Sequence, residues 1–144
     1  MHTIRKVSAL PFMAIVILFL SAGCQKYDDG PWFSLRMRSE RVANNWRIEK
    51  AIDNGNDVTG SFDKYDLDLT KDGGASLTAH YSFLGIEYDY TTKGTWHFAS
   101  KDEKIVIDYE NDLADATYFI LKLKETELWV RQENTNLELH LTPR

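Results

Sequence analysis

The stretch YDLDLTKDGGASLTAHY, residues 65–81, contains the pattern that decides the fold. Apolar and polar residues alternate on both sides of a central turn sequence, KDGG at positions 71–74. Because successive side chains of a β-strand point to opposite faces, this alternation predicts two strands that each have one apolar face. Aspartate and glycine favour the tight turn between them. The stretch therefore predicts an antiparallel hairpin with one side facing a core.

The same alternation recurs on both sides of this hairpin. The apolar phases outside it are Trp46, Ile48 and Ile52; Ile86, Tyr88 and Tyr90; Trp96 and Phe98; Ile105, Ile107 and Tyr109; Phe119, Leu121 and Leu123; Leu128 and Val130; Leu137, Leu139 and Leu141. The connections are short and polar except for residues 53–62, so none has room for a crossover helix. The sequence predicts an all-β fold, an up-and-down antiparallel meander of eight to nine strands. Such a meander closes into a barrel whose interior holds side chains or one small ligand.

The segment before the meander has weaker patterns. Alternation in residues 33–38 predicts a short extended segment, and Ser39 is expected to cap one helical turn that runs to Ala43. The long loop at residues 53–62 is expected near the opening of the barrel.

The first 23 residues have the composition of a secretory signal. Arg5 and Lys6 precede an apolar run that is too short to span a bilayer, and small residues follow at positions 21–23. The sequence LSAGC at positions 20–24 resembles the bacterial lipobox, in which the cysteine thiol is acylated and the signal is cut just before it. Cys24 is the only cysteine of the chain, so it cannot form an intramolecular disulfide. We therefore expect a lipid anchor on Cys24.

Length and charge limit the number of domains and the class of partner that the remainder of the chain can have. Residues 1–23 are expected to be the signal peptide, residues 24–39 the lipidated cysteine and tether, and residues 40–144 a single barrel domain. Loss of the signal leaves 15 basic and 22 acidic residues, a formal charge of −7, which argues against nucleic acid as a partner. The acidic sequence KYDD at positions 26–29 resembles the signal that sends many Bacteroidetes lipoproteins to the cell surface. We expect the protein on the outer membrane, at the cell surface rather than the periplasmic face.

A family resemblance adds to this interpretation. Asn44 and Trp46 stand where a lipocalin carries its glycine-any-tryptophan motif. Gly94 and Trp96 repeat the spacing in midchain, where Gly94 is expected at the head of a strand. The stretch from residue 29 to residue 143 resembles the lipocalin-like lipoproteins of Bacteroidetes. Asn44 replaces the glycine, and we expect it to keep the geometry by adopting a positive φ. The resemblance implies a barrel and a small hydrophobic ligand, but it names no ligand.

The residues that usually carry chemistry are not arranged for it. His80, His97 and His140 are out of phase with the apolar residues of their strands, so they are expected to point away from the core. An EF-hand alignment that starts at Asp53 puts Val58 where glycine is required. The chain has no glycine-any-serine-any-glycine elbow and no phosphate-binding glycine loop. We predict no enzyme activity, no metal and no cofactor.

Aromatic side chains are the best candidates for a functional site. Seven of them share the apolar phase of their strands and are candidates for lining a cavity: Trp46, Tyr81, Tyr88, Tyr90, Trp96, Phe98 and Tyr109. The same residues could instead fill the core. The leading hypothesis is a binding module for a small apolar or amphipathic ligand. The alternatives are a structural or protein-interaction module with a filled barrel and an outward Trp129, or an envelope enzyme inhibitor with Phe62 at its tip.

Overall fold

The computed structural model describes residues 35–144, so the predicted signal peptide, Cys24 and the first part of the predicted tether lie outside the described residues. A five-residue helix, α1, leads into nine strands within this range. The helix is Arg38–Val42, and the strands are β1 Asn45–Asp53, β2 Asn56–Asp57, β3 Tyr65–Leu69, β4 Gly74–Phe83, β5 Ile86–Ala99, β6 Lys104–Tyr109, β7 Ala116–Leu123, β8 Leu128–Gln132 and β9 Leu137–Pro143. Two 3-10 turns, Thr59–Ser61 and Asp112–Ala114, lie in the connections. None of the helices between residues 35 and 144 is long and apolar enough to cross a membrane.

The strands form a closed antiparallel barrel. Apart from β2, each strand pairs with the next along the chain, and β1 also pairs with β9, which closes the sheet. The two-residue strand β2 pairs with β1 and lies outside this ring of eight. The predicted all-β meander is therefore confirmed, with eight barrel strands and one extra strand.

The residues before β1 differ from the sequence-based expectation. Leu35 to Met37 do not form a strand, and α1 begins at Arg38 rather than after Ser39. The carboxylate of Glu40 accepts a hydrogen bond from the backbone N–H of Met37, so the helix is capped from inside its own first turn. Asn44 has no positive φ. The predicted glycine-like backbone at this position is wrong.

A β-bulge changes the phase of β1. The pairing of β1 with β9 shifts register between Ile48 and Lys50. Because a one-residue insertion reverses which side chains face inward, Ala51 becomes fully buried and Ile52 moves to the other face. The inward prediction for Ile52 is therefore wrong.

A second bulge, in β7, has more consequence for the interior. It lies between Ile120 and Lys122, with Leu121 as its extra residue. Tyr118 and Ile120 then point inward, whereas Phe119 lies on the outer wall beside the side chains of its neighbours. The inward predictions for Phe119 and Leu121 are wrong, and Tyr118 takes a place in the interior.

Gly94 lies inside a strand rather than at the head of one. β5 runs unbroken through this residue, which pairs with Ala75 of β4 and with Tyr109 of β6. A Cβ atom at Gly94 would lie 2.0 Å from the carbonyl oxygen of Asp108. The glycine is therefore required for the close approach of β5 and β6, not for a turn.

One end of the barrel is closed by α1 and by large side chains. Trp46 is fully buried, and its indole N–H donates to the carbonyl oxygen of Val42, at 2.8 Å. Arg41 of the same helix is buried and donates to the carbonyl oxygen of Leu123, at 2.9 Å. These two bonds attach α1 to the base of the sheet, on the same end as the β3–β4, β5–β6 and β7–β8 turns. We call this the closed end.

Candidate functional site

The opposite end of the barrel opens into a cavity of about 500 Å³, which we call the cup. Its volume lies within the range typical of small-molecule sites, about 300–1,000 Å³. The lining residues come from the long β1–β3 loop, the β4–β5 hairpin, the β6–β7 loop and the strands between them. They are Ile48, Ser61, Phe62, Tyr65, Leu77, Ala79, Tyr81, Tyr90, Thr92, Asn111, Leu113, Ala114, Tyr118, Gln132, Leu137 and Leu139.

A smaller void of about 60 Å³ lies deeper in the barrel and shares part of its wall with the cup. Ile48, Tyr65, Leu77 and Tyr118 contact both spaces. Aliphatic side chains make up most of the remaining wall of the void. The interior is therefore packed near the closed end and unfilled towards the open end.

Two tyrosines bring hydroxyl groups to this interior. Tyr118 lines both spaces, and Tyr109 lines the deeper void. Burial raises the pKa of Tyr118, and burial followed by the nearby Tyr118 and Asp115 raises the pKa of Tyr109, so both are neutral phenols at physiological pH. Neither hydroxyl makes a hydrogen bond to another of the described residues. The wall of the interior thus has two neutral groups that can donate a hydrogen bond.

The hairpin of β4 and β5 extends the aromatic wall beyond the barrel. β4 pairs with β3 as far as Ala79, and β5 pairs with β6 only from Gly94, so residues 81–92 project with both edges unpaired. The side chains on its inner face point to the same side of the sheet as the residues that line the cup. They are Tyr81, Phe83, Ile86, Tyr88 and Tyr90. Phe83 and Ile86 are 66% and 69% exposed. An apolar surface of this kind marks a binding region more often than a passive surface.

The sequence-predicted tyrosines lie at different depths of this wall. Tyr81 and Tyr90 line the cup, and Tyr109 lines the deeper void. Tyr88 lies outside the lining and stacks on Tyr81, with ring centroids 5.4 Å apart. The hairpin therefore arranges its aromatic residues as a continuation of the cup.

The other three predicted aromatics belong to the closed end. Trp46 packs beneath α1 as described above. Trp96 donates from its indole N–H to the carbonyl oxygen of Thr70, at 2.8 Å, and the ring of Phe98 meets it edge to face. None of these three is among the described residues that line the cup.

Sequence reasoning did not select Tyr118 as a cavity residue. The run YFIL at positions 118–121 is apolar throughout, so it is compatible with either phase. The choice between the phases depends on the bulge, which has no clear sequence signal in this strand.

The mouth of the cup is acidic. Three of the four connections at this end are residues 54–64, 81–92 and 110–115, and Lys64 is the one lysine or arginine in them; in the fourth, residues 133–136, Glu133 pairs with Lys104. The carboxylates of the first three connections are Asp57, Asp63, Glu87, Asp89, Glu110, Asp112 and Asp115. This excess gives the entrance a negative potential that favours neutral or positive molecules over anions.

His80 joins three strands on the outer wall. Its Nε2 lies 2.8 Å from Asp66 of β3, and its Nδ1 lies 2.7 Å from Asp89 of β5. Arg144 also pairs with Asp66, at 2.7 Å. The hydrogen bonds to Asp66 and then Asp89 raise the pKa of His80. Residues 35–144 contain no group of three or more His, Cys, Asp or Glu side chains placed to hold a metal ion.

The two aromatics expected to serve a protein interface are covered by their neighbours. Trp129 is on the outer wall, stacked on His140 with ring centroids 3.9 Å apart, and the ammonium of Lys122 lies over its ring. Phe62 packs against the core, lines the cup and tilts against Tyr65. Neither residue is a projecting apolar tip.

Comparison with known proteins identifies the fold. No protein-family model matches the chain, and no curated protein matches it. The structure is similar to the crystal structure of a lipocalin-like protein from Bacteroides uniformis ATCC 8492, with a TM-score of 0.57 and 15% identity over 72% of this chain and 99% of that chain. It is also similar to a DUF4847 family protein from Bacteroides vulgatus ATCC 8482, with a TM-score of 0.49 and 12% identity over 72% of this chain and 94% of that one. The first likeness shows the fold, which is that of a lipocalin-like β-barrel.

Proposed function

We propose that this protein binds a small apolar or amphipathic molecule in the cup. The observation that carries the proposal is the cavity of about 500 Å³ in a barrel that is closed at its other end. A ligand that enters from the open end would exchange water for aliphatic and aromatic walls, which is the main source of affinity for apolar ligands. The alternative of a filled barrel lacks this support, because side chains line the interior near the open end but do not fill it.

The hairpin supports the same proposal. Its apolar inner face is continuous with the cup wall through Tyr81 and Tyr90, and Phe83 and Ile86 on this face are largely exposed. A ligand that fills the cup and protrudes from it would cover part of this face. The hairpin would then contribute to affinity as an extension of the site.

We also propose that the protein is anchored to the outer membrane through a lipid on Cys24, with the cup directed away from the membrane. Leu35 lies eleven positions after Cys24, and the chain enters the barrel at the closed end through α1. Even a fully extended chain of that length spans only about 40 Å. The geometry supports an arrangement in which the closed end is held near the bilayer and the open end samples the surroundings.

A fluorescent probe tests ligand binding. The chain from residue 24 onward with Cys24→Ser cannot be acylated; we call it the unacylated mature chain and titrate it with N-phenyl-1-naphthylamine, a neutral apolar dye. Ala79→Phe fills the cup, because Ala79 is buried and lines it. Ser82→Phe adds the same group on the outer, exposed face of the same strand and is the matched control.

We expect the unacylated mature chain and Ser82→Phe to bind the dye equally, and Ala79→Phe to bind it at least tenfold more weakly. Circular dichroism establishes that each variant is folded, and Thr92→Phe fills the cup from β5 should Ala79→Phe not fold. Equal binding by a folded cup-filling variant, or no binding by the unacylated mature chain, would contradict the proposal.

A further inference from the structure

The walls of the cup carry no charge. Every described residue that lines it is aliphatic, aromatic or a neutral polar residue. An ionised group buried without a counter-ion loses its hydration and gains no partner, which is strongly unfavourable. The part of a ligand that lies inside the cup is therefore uncharged.

The mouth adds a bias against anions. Its seven carboxylates repel an approaching anion, and the one lysine of the three mouth segments is already engaged. The ammonium of Lys64 lies 5.4 Å from the ring centroid of Tyr65 and 5.0 Å from that of Tyr81. These rings hold the cation by cation–π contact at the edge of the cup. A carboxylate ligand would have to compete with both the rings and the surrounding acids.

The floor of the cup offers a specific polar contact. The hydroxyl of Tyr118 belongs to a residue that lines both the cup and the deeper void, and it makes no hydrogen bond to another described residue. This hydroxyl is not among the fully buried side-chain atoms of residues 35–144 that lack a partner, so it is accessible from the cup, where a ligand atom can replace water on it. An oxygen of a ligand that reaches the floor would accept the hydrogen bond from this phenol, and Tyr109 lies below it in the void.

We infer, on the basis of the proposed function, that the ligand carries no negative charge and that the part inside the cup is an uncharged apolar body with a hydrogen-bonding oxygen that contacts the hydroxyl of Tyr118. Neutral ketones, alcohols and esters belong to this class. Fatty-acid anions and other carboxylates do not. The charge-free wall excludes them because a buried carboxylate loses its hydration without a compensating cation, and the acidic mouth repels them by its like charge.

Two dyes of nearly the same shape test the charge requirement. 8-Anilino-1-naphthalenesulfonate is N-phenyl-1-naphthylamine with one added sulfonate. Only the binding that Ala79→Phe abolishes is counted, so that contact with the exposed hairpin does not contribute. We expect the anionic dye to bind the cup at least tenfold more weakly than the neutral dye. A smaller difference overturns the charge requirement while the proposed function stands, whereas failure of both dyes overturns the proposed function itself.

A second matched pair tests the polar contact. 2-Acetylnaphthalene and 2-ethylnaphthalene differ in a carbonyl oxygen, and each is measured by displacement of the neutral dye. Tyr118→Phe should weaken the binding of the ketone about threefold to tenfold, which is the effect of one neutral hydrogen bond. The affinity for the hydrocarbon should not change. Thr117→Val is the control, because it removes a hydroxyl from the neighbouring residue of β7, which points to the other face of the strand and does not line the cup; it should change neither. An equal effect of Tyr118→Phe on both ligands, or none on either, overturns the assigned contact.

Discussion

The replacement Trp46→Phe tests how the closed end of the barrel is sealed. Trp46 is fully buried, and its indole N–H is the donor that joins the base of the sheet to the carbonyl oxygen of Val42 in α1. Phenylalanine keeps an aromatic ring in place but removes the donor and part of the volume. The contact therefore bears on how the barrel is closed at the end opposite the cup.

The expected decrease in the free energy of unfolding has two parts. A buried carbonyl that loses its partner costs about 1–3 kcal/mol. The smaller ring leaves an unfilled space that adds about 1 kcal/mol, a fraction of the 3–5 kcal/mol typical of Trp→Ala in a core. Trp46→Phe should therefore lower the free energy of unfolding by about 2–4 kcal/mol, a large share of the 5–15 kcal/mol typical of a domain.

Urea denaturation followed by far-UV circular dichroism measures this cost without depending on tryptophan fluorescence. The matched control is Trp129→Phe, since Trp129 is partly buried on the outer wall and makes no hydrogen bond there with a described residue. We expect the control to cost about 1 kcal/mol or less. If Trp46→Phe costs no more than the control, the proposed role of Trp46 in closing the barrel is wrong.

Three further predictions follow from other contacts. Gly94→Ala should lower the free energy of unfolding by about 3 kcal/mol, because a Cβ atom would overlap a backbone carbonyl of β6. A decrease below about 1 kcal/mol, measured by urea denaturation, would contradict this close approach. The pKa of His80 is raised by two carboxylates, so its stabilising effect is complete below its unfolded pKa of about 6.5 and is lost as pH rises through the higher folded value. The difference in Tm between the protein and His80→Gln should be larger at about pH 5.5 than at about pH 8.5, and a pH-independent difference would refute the bridge. Cys24→Ser should move the protein out of the membrane fraction of its own cells, and retention in that fraction would exclude the lipid as the anchor.

The fold was predictable because most strands repeat a period of two with one apolar face. The runs that end in Tyr109, Leu128 to Val130, and Leu137 to Leu141 all place their apolar residues inward as expected. Short polar connections left no room for crossovers, so the antiparallel order followed. The alternation of apolar and polar residues was sufficient to predict the inward face wherever a strand was regular.

The site was less predictable because it depends on departures from regularity. The bulge in β7 brings Tyr118 inward in place of Phe119, although both phases of that run are apolar. The length of the β4–β5 hairpin leaves Tyr88 outside the barrel, although its phase is that of the interior. Bulges and strand overhang are set by pairing between strands distant in the sequence, so period alone cannot reveal them.

The central claim is that a neutral apolar molecule occupies the cup, and an NMR titration tests it most directly. In ¹H–¹⁵N spectra of the unacylated mature chain, saturating N-phenyl-1-naphthylamine should shift the backbone amides of Ala79, Tyr118 and Leu139, which line the cup. The indole N–H of Trp46, at the closed end, should not move. Shifts confined to the exposed hairpin tip at residues 83–86, or no shifts at all, would contradict the account.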